Sequence, residues 1–220
     1  MKKPIFLVIV ALGLVHVYST TMQKLNLTKK ASVGNTSLYI QEGDITLVNT
    51  QAIVNAANEQ LAGGGGVCGA IFSAAGWDEM QDACDKYPEV NGIRCPVGEA
   101  RITPSFNLKE SAGIEYVIHA VGPDCREVTD PMEQDMLLTN AYKNSLMVAD
   151  QNGITSIAFP FISSAIFACP IERACEIGLK TIMDYVNSTP THLKEVRFVL
   201  FSRSDYELFV KTATQLGIKG

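Results

Sequence analysis

Histidine is scarce in this chain, three residues in 220, and none of the six cysteines forms a C-x-x-C pair. Together these shortages take away the usual zinc-ligand spacing, and no metal is expected. No stretch is rich in lysine or arginine, and the formal charge is -5, so nucleic acid is not an expected partner. A small anion is still allowed, because backbone N–H groups hold phosphate without cationic side chains. No Gly-Lys-Ser/Thr follows the glycine run at 63–66, which excludes a P-loop. There is no internal repeat and no sign of a second domain. The apolar run from Ile5 to Val17 is short for a membrane span. Cys68, Cys84, Cys95, Cys125, Cys169 and Cys175 read as small buried thiols in a chain of this size.

The first residues have a layout of their own. Lys2 and Lys3 precede the apolar run, and Val17-Tyr18-Ser19 offers a small residue for cleavage. Residues 1–19 are therefore expected to be an export signal, leaving a secreted or periplasmic chain that begins near Thr20 and spans no membrane. Disulfides would then be possible. The alternative is a start at Met22 and a cytoplasmic protein. Residues 20–36 are polar and aperiodic and read as a lead-in or linker, with one domain over 37–220.

Strand and helix patterns alternate from Ser37 onward. "SLYIQ" alternates as a strand does, and "GDIT" follows as a turn. "AIVNA" is a short apolar run, the pattern of a strand buried on both faces. "GAIFSAA" reads as a helix opened by glycines, and "DEMQDACDKY" continues helically to Pro88. "EARITP" and "EYVIHAV" are strands, residues 132–151 a helix, and "SIAFPFI" a strand ended by Pro160. A helix over "IERACEIGLKTIMDYV", a strand over "EVRFVLF" and a helix over "SDYELFVKTATQL", with Ser204 as its N-cap, complete the chain. This order predicts an α/β fold with a mixed, mostly parallel central sheet between two helical layers. Ligands of such sheets bind beyond the carboxyl ends of the strands.

Gly64-x-Gly66-x-x-Gly69 fits the dinucleotide pattern G-x-G-x-x-G, but about eight residues separate it from its strand, where the fingerprint follows tightly. Six blocks in order and spacing resemble the macrodomain family. They are "GDIT" (43–46), "AIVNAAN" (52–58), "GGGV" (64–67), "CPVGEARIT" (95–103), "YVIHAVGP" (116–123) and "SIAFPFIS" (156–163). The similarity runs from about Leu38 to about Thr212. It implies a three-layer α/β/α fold and ADP-ribose, free or protein-linked, as the ligand, with no cofactor. Many members also hydrolyse ADP-ribosyl esters. By position, the resemblance implies that Asp44, beside Ile45, accepts from the adenine amino group. It sets Asn58 against the distal ribose. Gly64, Gly65, Gly66 and Val67 line the diphosphate and distal ribose, and Ser163, Ser164, Ala165, Ile166, Phe167 and Ala168 form the second phosphate loop, with Phe167 flanking the distal ribose. Asn55 is expected to cap a turn, and His119 to be structural.

The chain departs from the family in two places. Cys68 stands where hydrolytic members often carry aspartate, and Phe72 where they often carry histidine. Cys68 is a candidate catalytic residue beside Asn58 if a helix N-terminus lowers its pKa, and a packed thiol otherwise. Ala165 and Ala168 stand where relatives typically have glycine, so weaker binding is expected if both must hold left-handed backbone, the alternative being a local shift that keeps φ negative. Two functions remain open for this ligand, beside a retained fold that takes another nucleotide-like ligand. One is an ADP-ribosyl ester hydrolase, acting on mono-ADP-ribosylated Asp/Glu or O-acetyl-ADP-ribose, with the substrate phosphate placing the water. The other is a reader module without turnover.

Overall fold

The computed structural model describes residues 28–188 and 190–218. The expected export signal and the Met22 start lie outside the described residues. Within them the strands are β1 (Thr28–Val33), β2 (Thr36–Glu42), β3 (Ala52–Ala56), β4 (Ala100–Pro104), β5 (Tyr116–Ala120), β6 (Ser156–Phe159) and β7 (Glu195–Leu200). The helices are α1 (Gly66–Ala75), α2 (Trp77–Asp85), α3 (Asn107–Ala112), α4 (Pro131–Gln151), α5 (Ile171–Ser188) and α6 (Arg203–Gln215). The strands form one sheet in the order β1-β2-β7-β6-β3-β5-β4. Its five inner strands run parallel, and the two edge strands are antiparallel to their neighbours.

Side-chain alternation along the inner strands builds two cores. Ile53, Val117, Ala158 and Val199 point into the layer with α1, α2 and α3, against Ile71, Phe72, Met80 and Leu108. Their neighbours Val54, Ile118, Ile157 and Phe198 point to the opposite layer, against Tyr142, Leu179 and Phe209 of α4, α5 and α6. Both faces are buried, which is why these strands read as continuous apolar runs. The result is the three-layer α/β/α arrangement that the sequence predicts.

Several local features differ from the sequence reading. Gly76, with φ +100°, breaks the expected continuous helix into α1 and α2. Residues 28–33, placed in the lead-in, form an edge strand. Ala31 and Val33 are buried in the core, and Gly34, with φ +57°, makes the tight turn into β2. The signal was a Gly-Asn dipeptide between two alternating runs. The short helix α3 had no periodic pattern long enough to announce it. The N-cap of α6 is Ser202, whose Oγ accepts from the Asp205 amide at 3.1 Å, two residues before the expected Ser204.

Candidate functional site

Because β2, β3, β5, β6 and β7 run in one direction, the segments that follow them emerge at one end of the sheet. These are residues 43–44, 57–65, 121–130, 160–170 and 201–202. Every ligand-site residue that the resemblance named, Val67 on α1 included, lies on or beside these segments, and so does Cys68.

Asp44 follows β2 and caps a single 3-10 turn, Ile45–Leu47. Its Oδ1 accepts from the Thr46 amide at 2.9 Å and from Thr46 Oγ1 at 2.7 Å. That fixes the carboxylate and leaves Oδ2 without a donor among the described residues. Ile45 is buried beneath it. The Gly43 amide donates to Leu200 O at 2.9 Å, which sets this turn against the end of β7. The next residue, Phe201, is 75% exposed. Sequence reading put Phe201 inside the strand; its position just past the strand end was legible only once the register was known.

The loop after β3 is shaped by Asn58. Its Nδ2 donates to Ala62 O at 3.0 Å and its Oδ1 accepts from the Ala62 amide at 2.9 Å. Asn58 thus caps the turn, the role expected of Asn55. One N–H and one lone pair of its half-buried amide remain for a further partner. Asn55 lies instead within β3, paired in register with His119 of β5. Its Nδ2 lies 3.1 Å from His119 Nδ1, and Thr103 Oγ1 lies 2.9 Å from His119 Nε2. His119 is fully buried, and burial lowers its pKa to about 4. It is a neutral structural ring.

The glycine run leads into α1, whose N-cap, Gly65, has no side chain to satisfy the first amides. Each glycine has its own reason. A Cβ on Gly63 would lie 2.5 Å from the Trp77 ring, and one on Gly69 would lie 2.5 Å from Gly64 O. Gly66 takes φ +59°. Gly64 and Gly65 are exposed backbone. Among the described residues, the amides of Gly65, Gly66 and Val67 have no acceptor. An uncapped helix N-terminus of this kind attracts an anion.

The loop after β6 supplies the opposing wall. The Cys169 amide donates to Ser163 O at 3.0 Å and the Ala168 amide to Ala165 O at 3.1 Å, closing the loop on itself. The amides from Ser164 to Phe167 have no acceptor among the described residues. Ser164 Oγ donates to Phe161 O at 2.9 Å, while Ser163 Oγ is buried without a partner among the described residues. A Cβ placed on Gly65 would lie 3.9 Å from Ile166 Cδ1, so the two amide-rich loops meet across a narrow gap. Ile166 is 59% exposed, and Phe167 is half-buried in the loop, outside either core cluster. The strain falls on Ala168, with φ +48°, and Ser163, with φ +61°; Ala165 is not left-handed.

Cys68 does not have the environment of an activated nucleophile. It is the third residue of α1 and 5% exposed. Burial raises its pKa above the ordinary 9.0, and a hydrogen bond from the Asn55 amide only partly opposes this. The thiol is neutral at physiological pH. The helix N-terminus was the signal for a lowered pKa, and desolvation outweighs it. Cys84, Cys95 and Cys175 are also buried free thiols. Cys125 and Cys169, 44 residues apart, form a disulfide, contrary to the expectation of six thiols. Among the described residues, no three His, Cys, Asp or Glu side chains gather as a metal site requires, and no helix is long and apolar enough to cross a membrane.

Comparison with known proteins finds the Macro domain family profile matched over residues 54–178. A macro domain-containing protein of Caldanaerobacter subterraneus is 43% identical over 175 residues, covering 80% of this chain and 94% of the relative. An O-acetyl-ADP-ribose deacetylase of Escherichia fergusonii is 41% identical over 180 residues, 82% of this chain and 97% of the relative. The Oceanobacillus iheyensis macrodomain, solved with ADP, superposes with a TM-score of 0.79 at 38% identity, covering 87% of this chain and 97% of that one. The Trypanosoma brucei macrodomain in complex with ADP-ribose superposes with a TM-score of 0.67 at 28% identity, over 79% and 68% of the two chains.

Proposed function

The chain belongs to the macro domain family, and on that premise we propose that it binds ADP-ribose and hydrolyses ADP-ribosyl esters. The observation that carries the reading is the pair of facing loops with unengaged amides, Gly65 to Val67 and Ser164 to Phe167, at the strand ends. They supply donors for a diphosphate in a protein whose net charge is -5. Asp44 Oδ2 accepts from the adenine amino group, and the exposed Phe201 offers the purine an aromatic face. Asn58 lies at the distal ribose, held rigid by its two bonds to Ala62.

Turnover comes from position and from fixed dipoles. No carboxylate stands at the head of α1, and Cys68 is a neutral, buried thiol, so neither acts as a base there. The substrate's own phosphate orients the water towards the ester carbonyl or the anomeric carbon, and the loop amides stabilise the developing oxyanion. The ester of O-acetyl-ADP-ribose and the glutamate or aspartate esters of mono-ADP-ribosylated proteins are the substrate classes. The deacetylase activity named for a relative of 41% identity supports the first of these. The test is to incubate the purified protein with O-acetyl-ADP-ribose and with a glutamate-linked ADP-ribosylated peptide. Release of ADP-ribose is expected. Saturable binding without release would establish the second reading, a reader module, which the missing carboxylate favours.

We propose further that the chain is exported. The Cys125–Cys169 disulfide supports this together with the Lys2-Lys3 and apolar layout of residues 1–19, because such bridges persist in oxidising compartments. Mass spectrometry of the native N-terminus is expected to find Thr20 or a neighbour. A chain starting at Met1 or Met22 would refute export by cleavage.

A further inference from the structure

The loop over residues 163–168 starts and ends in backbone that a side chain disfavours. Ser163 has φ +61° and Ala168 φ +48°. Glycine would hold such angles without strain, but a Cβ biases both positions towards other shapes, against the two backbone hydrogen bonds that close the loop, so a hold from outside the loop adds to them. The structure shows what does. The segment after β5 packs directly under it, so closely that a Cβ on Gly122 would lie 2.2 Å from Ser163 Oγ. The Cys125 amide donates to Phe167 O at 2.9 Å. Cys125 O in turn accepts from Gln134 Nε2 at 3.4 Å, which ties this segment to α4. Across that junction runs the disulfide, attached to Cys169, the residue after strained Ala168. Remove the bridge, and among the described residues Cys125 holds the loop through one backbone hydrogen bond.

We propose that the Cys125–Cys169 disulfide is the clamp that holds the 163–168 loop in its phosphate-binding shape, so that the oxidation state of this pair sets the affinity of the site for a diphosphate ligand. The inference rests on the ADP-ribose reading for its ligand, and on the disulfide and loop geometry for its mechanism. Cys125 is half-exposed and Cys169 is buried, so a reductant meets the Cys125 sulfur first. A dithiol is the reductant class. One of its thiolates attacks Cys125 Sγ, the S–S bond breaks, and Cys169 leaves as a thiolate that takes up a proton. The second dithiol sulfur then displaces Cys125 from the mixed disulfide. Two electrons and two protons pass to the protein, and the dithiol leaves as its own disulfide. A chain still in a reducing cytosol would carry the looser site, and one delivered to an oxidising compartment the tighter one.

The experiment compares the native oxidised protein, the same protein reduced with dithiothreitol, and the Cys125→Ser/Cys169→Ser double variant. Each is measured for ADP-ribose affinity by calorimetry and for amide exchange by mass spectrometry. Reduction is expected to weaken ADP-ribose binding on the order of tenfold, since the loop must then be ordered at the moment of binding. Exchange should quicken over 163–169 and 121–126 and hardly change in β3 and β5. Equal ADP-ribose affinity in the two redox states would overturn the proposal, and so would equal loop exchange or faster exchange spread evenly over the sheet. If neither form binds ADP-ribose, the ligand reading fails by itself; local loosening on reduction still upholds the clamp, and its absence refutes it. If the double variant does not fold, the reduced native chain carries the same comparison.

Discussion

Replacing Ala168 by glycine should stabilise the protein, whereas the same change at Ala165 should destabilise it. Ala168 holds φ +48° and Ala165 does not have left-handed backbone. A non-glycine residue in the left-handed region costs about 1–2 kcal/mol, which Ala168→Gly removes. Glycine also widens the unfolded ensemble, at a cost of about 0.4–1 kcal/mol. Both alanines are exposed, so little packing is lost at either site. The net expectation for Ala168→Gly is a gain of roughly 0.5–1 kcal/mol, or about 1–4 °C in Tm for a chain of this size. Ala165→Gly keeps only the penalty, a loss of roughly 0.4–1 kcal/mol. Urea denaturation of the oxidised variants reads both. Because the fold itself already holds Ala168 left-handed, its strain burdens folding rather than binding, and ADP-ribose affinity should change less than about twofold. Equal destabilisation by the two substitutions would refute the reasoning, and so would a large gain in affinity from Ala168→Gly.

Asp44→Asn keeps an oxygen to accept from Thr46 but turns the ligand-facing acceptor into a donor. ADP-ribose affinity should fall roughly ten- to hundredfold with Tm nearly unchanged, as loss of a hydrogen bond to a charged group implies; unchanged calorimetric affinity would remove Asp44 from the adenine site. Cys68→Ala should retain turnover within about threefold, because burial keeps the thiol protonated and out of the chemistry; abolished ester hydrolysis with intact binding would restore Cys68 as a nucleophile. Acid should destabilise the fold through His119. Its folded pKa is lowered to about 4 from 6.5, so its contribution is complete above pH 6.5 and is lost as pH falls towards 4. Denaturation series across that window, compared with His119→Gln, should show a fall on the order of 3 kcal/mol that the variant lacks; parallel curves for the two proteins would reject the assignment.

The loops of the candidate site were the most legible part of the chain. Asp44, Asn58 and the glycine run lie where strands end, and such ends are marked locally by a change of hydrophobic period and by turn residues. The side-chain roles within the loops were less legible. Asn55 and Asn58 sit in the same short motif, yet one is buried in a strand against His119 and the other caps a turn. Which role each takes depends on where β3 stops and which strand lies beside it. Ala165 and Ala168 likewise look equivalent in sequence and have different backbone shapes, because the hydrogen bonds that close the loop reach them differently.

What the sequence by itself determined is the order of strands and helices, the two-faced burial of the inner strands and the loops at the strand ends where the candidate site lies. These follow from periodicities of a few residues, which are local. The same kind of local signal, an alternating run with a Gly-Asn turn, marks β1 within the lead-in. Tertiary structure alone decided which two of six cysteines meet, where the strained residues fall and whether Cys68 is charged. Each of these depends on neighbours brought together by the order β6-β3-β5. That order lays the segment after β5 beneath the loop after β6, although 44 residues separate Cys125 from Cys169. Proximity and desolvation are properties of the packed chain, and no window of the sequence contains them.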